Sequence, residues 1–226
     1  MRRFLSILLM LSMVALPASA FNPEKSPQRK DAHMIVFVIH EKDEFGQDYT
    51  GKALCSASAL GKHALLTAGH CDKGETELTV DNELSPRPIF SRINDGEDHV
   101  IFLVGGSAFK DTMAKFYSPD TYAPDKVGDE VFLWGDGAGL YPPQFRQGRS
   151  MGTIVIPDKE LPGMLVSDPN LLMFDISIVG GDSGSAIYDK HTGKLVTLVT
   201  YGVADKYCGA YVMHFTQAQV EQAEKF

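Results

Sequence analysis

This sequence predicts an all-β chain, folded as a sandwich or barrel in two halves. Short stretches rich in Val, Ile, Leu, Phe and Tyr recur along it, bounded by Gly, Pro, Asn or Asp. Helical patterning is confined to the C-terminal end. A polar, proline-containing linker at 118–125 (SPDTYAPD) divides the body into β-rich parts of similar size, 33–117 and 126–226.

Residues 1–20 stand apart. Arg2 and Arg3 give a positive start, an apolar run follows from Leu5 to Leu16, and Ala18-Ser19-Ala20 fits a small-residue cleavage site. This reads as a signal peptide, too short in its apolar part for a membrane span, and it implies a secreted or periplasmic protein in an oxidising compartment. Residues 21–32 (FNPEKSPQRKDA) read as a loose polar leader or propeptide. Strands are expected at 33–40, 53–60, 63–67, 75–80, 100–104, 130–134, 152–156, 171–176, 185–188, 195–201 and 210–215. Asp136-Gly137 and His191-Thr192-Gly193 are turn signals. Thr216-Gln217-Ala218-Gln219 has the form of a capping box and opens a terminal helix with Ala218, Val220 and Ala223 on its apolar face.

The chain has 226 residues, which suits one domain of this kind, and 44% of them are hydrophobic, enough to bury a core. A formal charge of −8 disfavours nucleic acid or an anionic membrane as partner. The three cysteines, Cys55, Cys71 and Cys208, allow one intramolecular bridge and leave one thiol over. No CxxC or HxxxH spacing accompanies them, so no metal is expected, and the chemistry below needs no cofactor.

That chemistry starts at Gly180-Gly181-Asp182-Ser183-Gly184-Ser185. A serine hydroxyl needs a base, a group that orients the base, and donors for the oxyanion. Glycines on both sides of Asp182-Ser183 let backbone N–H groups converge, so the Gly181 and Ser183 amides are the oxyanion-hole candidates. Taken alone, Asp-Ser-Gly is also ordinary turn chemistry. It is not a GxSxG elbow, because Ser185 occupies the last position. The second motif, Leu66-Thr67-Ala68-Gly69-His70-Cys71, supplies the histidine.

Together, Thr67-Ala68-Gly69-His70-Cys71 and Gly181-Asp182-Ser183-Gly184 resemble the chymotrypsin/trypsin-like serine peptidase family. Cys55, fifteen residues before His70, and Cys71, directly after it, stand where that family has cysteines. The resemblance covers roughly residues 33–226 and implies two antiparallel six-stranded barrels with the site in the cleft between them. It also implies a Cys55–Cys71 disulfide, which leaves Cys208 as a buried free thiol. His70 becomes the base and Ser183 the nucleophile. The third member, which the family places just before an apolar strand, falls on Asp98, ahead of Val100-Ile101-Phe102-Leu103-Val104; Asp95, in an Asn-Asp-Gly turn, is its rival. His99 stands where an apolar residue is usual.

Phe174-Asp175-Ile176-Ser177 and the strand around Trp134 resemble the bacterial secreted branch. By resemblance, Ser177 is the base of the first substrate pocket, and Thr200, Tyr201, Gly202 and Gly209 contribute to its walls. A neutral base favours an apolar or aromatic P1 side chain over Arg or Lys, unless Asp175 points inward. The family's freed N-terminal amine, which pairs with the Asp before the nucleophile, has no counterpart motif: Ile35-Val36 runs into Phe37, which leaves the partner of Asp182 open. The expected function is a secreted endopeptidase acting on protein or peptide. The alternatives are an inactive homologue that only binds, and an esterase on the same scaffold.

Overall fold

The computed structural model describes residues 21–42, 45–113, 126–157, 165–203 and 206–226. The expected signal peptide at 1–20 and linker at 118–125 lie outside them. The first half is a closed barrel of β1 (Ala32–Lys42), β2 (Asp48–Gly61), β3 (Ala64–Ala68), β4 (Glu77–Val80), β5 (Arg87–Asn94) and β6 (His99–Val104). Its neighbours run β1-β2-β3-β6-β5-β4, all antiparallel.

The second half is a seven-stranded antiparallel sheet of β7 (Glu130–Gly135), β8 (Gln144–Pro157), β9 (Leu165–Phe174), β10 (Ala186–Asp189), β11 (Leu195–Leu198), β12 (Tyr201–Val203) and β13 (Tyr207–Tyr211). The order is β11-β10-β7-β8-β9-β13-β12. The sheet curls back on itself: the Thr197 hydroxyl beside β10 donates to the Tyr211 carbonyl of β13, and the Thr200 N–H donates to Gly209 O at 3.1 Å. Helix α1 (Gln217–Lys225) follows, with the capping box formed as expected between Thr216 and Gln219.

Three clusters explain why several strands read as continuous apolar runs. Period-2 alternation sends Val100, Phe102 and Val104 of β6 into the first barrel with Ile35, Phe37 and Leu65. It sends Ile101 and Leu103 outward, into a layer between the halves with Leu66, Phe132, Trp134, Tyr188 and Phe215. On β7, Val131 and Leu133 enter the second core while Phe132 and Trp134 face that shared layer. Helix α1 seals the layer with Val220 and Ala223, close against Gly61, where a side chain would meet the Ala223 carbonyl.

Two expectations are corrected. Strand β5 carries Pro88, Ser91 and Arg92, and its mixed composition hid it from strand patterning. The leader is not loose: Pro23–Lys25 and Pro27–Arg29 form short 3-10 turns, and Ser26, Gln28 and Asp31 are buried. Phe21 lies 4.8 Å from the Phe132 ring, Arg29 lies over Trp134, and Gln28 donates to Gly193 O. Gln28, Arg29 and Asp31 meet partners on the second half, while Asn22, Glu24, Lys25 and Lys30 stay exposed.

Candidate active site

The end of β3 turns through a short 3-10 segment, Gly69–Cys71, that presents His70. Three bonds tie this turn to the start of β6. The Gly69 N–H donates to Asp98 O at 2.8 Å, the His70 N–H to Asp98 Oδ1 at 2.6 Å, and His70 Nδ1 lies 2.8 Å from Asp98 Oδ2. An ionised carboxylate only accepts, so this contact puts the imidazole proton on Nδ1 and leaves Nε2 free to take one. The Cys55–Cys71 disulfide clamps the same turn to β2.

Asp95 does something else. Its Oδ2 lies 2.7 Å from His99 Nδ1, and both side chains are fully buried. Burial opposes the Asp95 charge, but His99 and the N–H groups of His214 and Glu97 outweigh it and hold the carboxyl below the usual carboxylate range. The histidine at an apolar position is therefore the structural partner of the rival aspartate.

Ser183 is brought to this turn by its neighbours. The Ser56 N–H donates to Ser183 O at 2.8 Å, and the Cys71 sulfur lies 4.0 Å from that oxygen, a contact only, because a disulfide sulfur carries no proton. Gly184, at φ +87°, packs so closely that a Cβ would collide with the Ser56 carbonyl and the Thr67 hydroxyl. Ser183 remains half-buried.

The Gly180–Gly181 peptide is held from behind. The Ala138 N–H donates to Gly180 O at 2.7 Å. In a trans peptide the N–H points opposite to the C=O, so the Gly181 N–H faces away from that loop. Among the described residues, neither the Gly181 nor the Ser183 amide donates to a backbone carbonyl. The Ser56 hydroxyl donates to Gly181 O at 2.8 Å and accepts the Asp136 N–H at 2.9 Å.

The partner of Asp182 is Arg146 of β8. Nη1 lies 2.5 Å from Oδ1 of the fully buried carboxylate, and the Val179 N–H donates to Oδ2 at 2.8 Å. Gly135 and Gly137 make room, since side chains there would strike Asp182, Ser185 and Arg146. Sequence reasoning missed Arg146, Asp136 and Ser56. Burial and the carboxylates of Asp81 and Asp182 push Asp136 up to about 7, with Arg146 opposing them. Burial pushes the free Cys208 thiol up to about 12, so it is inert.

The pocket residues divide. Thr200 donates to Gly209 O through its N–H and its hydroxyl (3.1 and 3.2 Å), and Tyr201 stands opposite Gly209. The Tyr201 ring lies across the space over Gly209, while Gly202 lies beside the buried Ile178. Ser177 is exposed, and the Asp175 carboxylate is turned to β8, where it accepts the Arg149 N–H.

A closed six-stranded barrel joined to a curled second sheet, with these two turns meeting between them, is the chymotrypsin/trypsin-like serine peptidase fold. Solved structures similar to this chain include the Rv3671c protease of M. tuberculosis. In its active form it has TM-score 0.61 and 15% identity, covering 89% of this chain and 82% of that one. In its inactive form it has TM-score 0.60 and 15% identity, covering 89% and 91%. The HtrA-type protease AlgW with a decapeptide has TM-score 0.59 and 15% identity, covering 88% of this chain and 64% of that one. No family model and no curated protein matches the sequence.

Proposed function

We propose that this chain is a secreted serine endopeptidase with Ser183 as nucleophile, His70 as base and Asp98 as the group that orients it. The observation that carries this is the double engagement of His70 by Asp98, next to a serine seated by Gly184 against the same turn. The serine proteases among its structural neighbours support the same class.

In this reading His70 Nε2 takes the Ser183 Oγ proton as Oγ attacks the scissile carbonyl carbon. The displaced electron pair settles on the carbonyl oxygen, which the Gly181 and Ser183 amides receive. His70 then protonates the leaving amine, and a water activated by the same ring hydrolyses the acyl-enzyme. Arg146 supplies from within the chain the cation that the Asp182 loop needs, so no trimmed N-terminal amine is required.

The signal peptide at 1–20 sends the chain to an oxidising compartment, in keeping with the Cys55–Cys71 bridge. Residues 33–117 and 126–226 are the two halves of one peptidase domain. Substrate pairs as an added strand along Thr200, Tyr201 and Gly202. Ser177 and Gly209 border an apolar P1 pocket that the Tyr201 ring narrows, favouring apolar side chains of modest size.

Digestion of a denatured protein mixture, with new termini read by mass spectrometry, tests this. Cleavage after apolar residues by the wild type and none by Ser183→Ala is expected. Cleavage mainly after Arg or Lys contradicts the pocket, and identical digests from both chains contradict the peptidase. Arg146→Gln should lower kcat by roughly a hundredfold or more through the oxyanion loop.

A further inference from the structure

Behind the oxyanion loop, more acid than base is buried. The Asp136 side chain is fully buried, and neither carboxylate oxygen has a hydrogen-bond partner among the described residues. Resting on the reading of the Gly181 amide as an oxyanion donor, we propose that Asp136 is a positioning residue for that amide, and that ionisation of its carboxyl slackens the Gly180–Gly181 peptide and slows turnover.

The connection runs through a few bonds. The Asp136 N–H donates to Ser56 Oγ, and Ser56 Oγ donates to Gly181 O. The Asp136 carbonyl accepts the Gly139 N–H at 3.0 Å and closes the short turn Gly137–Gly139, from which Ala138 donates to Gly180 O. Ala138 is held at φ 57°, a left-handed conformation that a non-glycine residue keeps only when its surroundings impose it. The backbone of Asp136 therefore cannot shift without moving the peptide that carries the Gly181 N–H.

Charged groups face Asp136 from several elements. Asp182 faces it from the nucleophile loop and Arg146 from β8. Asp81, from the turn after β4, is itself paired with His33 at 3.0 Å. Tyr141 stands on the loop beyond, its hydroxyl proton held more tightly by Asp81, by burial and by Asp136. One guanidinium thus serves Asp182, with a second buried carboxyl close by. While Asp136 is neutral, Arg146 is committed to Asp182. Once Asp136 ionises, an unpartnered buried anion competes for the same cation, and it gains partners only by moving its turn. Burial and the neighbouring acids put that ionisation at about 7, inside the working range of a serine peptidase.

The test is the pH profile of kcat for the mature chain and for Asp136→Asn, from about pH 5 to about pH 9. The wild type should gain activity on the acid side and then lose about tenfold on the alkaline side, while KM stays level. Asp136→Asn should keep the rise and lack the fall. The same alkaline fall in both chains, or none in the wild type, overturns the proposal. Amide exchange over 179–184, corrected for the intrinsic pH dependence, reads the loop without turnover. In the unmodified chain it should accelerate across the same pH range, and exchange that ignores pH overturns the proposal even if the variant does not fold. Alkaline loosening in a chain without peptidase activity would defeat the function proposed above and leave standing only the coupling of Asp136 to the loop. An active chain with pH-independent exchange would do the reverse.

Discussion

Asp98 and Asp95 lie three residues apart and do different work, because one ends at the mouth of the cleft and the other is buried under it. Asp98→Asn should keep the fold and lower kcat by roughly ten-thousandfold, since an amide in that place favours the wrong imidazole tautomer. Asp95→Asn should change kcat little and lower stability by roughly 3 kcal/mol, the cost of leaving one member of a buried pair alone. Paired thermal melts and steady-state kinetics on the two variants separate these roles. At this scale the sequence was informative where the motif is local: Asp98 as the hydrogen-bond partner of His70 could be anticipated from its immediate neighbours. Arg146 and Asp136 could not, because what distinguishes them is burial against a loop distant in sequence.

Among the elements, alternation decides what could be read. Strands β3, β6 and β7 are buried on both faces, one toward a barrel interior and one toward the layer between the halves, so they stand out as apolar runs. Strand β5 has exposed and half-exposed positions along most of its length and gave no such signal. The terminal helix was legible from its cap alone. Thr216→Ala should cost about 1 kcal/mol, a drop of about 2–4 °C in a thermal melt. Gly184→Ala should cost more than about 2 kcal/mol, because its positive φ and the Ser56 carbonyl both exclude a Cβ. The melt of Gly184→Ala against the wild type measures this.

Across the whole molecule, the buried Asp136 carboxyl makes stability fall as pH rises between its unfolded and folded values. The Asp136 pKa is raised from 3.8 to about 7 on folding, so below both values the group is protonated in either state and costs nothing. As pH rises between them the unfolded chain ionises first, and stability falls by roughly 4 kcal/mol across that window. Denaturant unfolding at a series of pH values should show this decline in the wild type and a flatter line in Asp136→Asn. The β-rich plan in two halves was legible because short apolar runs recur along the chain and its two motifs resemble a family built that way. The packing of the leader was not, because Phe21, Gln28 and Arg29 find their partners only on the folded surface of the second half.

The central claim is that Ser183 is a nucleophile activated by His70. Labelling with a fluorophosphonate probe, with the modified residue located by mass spectrometry, tests it most directly. The account predicts a single adduct on Ser183 in the wild type, a strongly slowed reaction in His70→Ala and none in Ser183→Ala. An unlabelled wild-type chain, or an adduct that forms equally fast without His70, would contradict it.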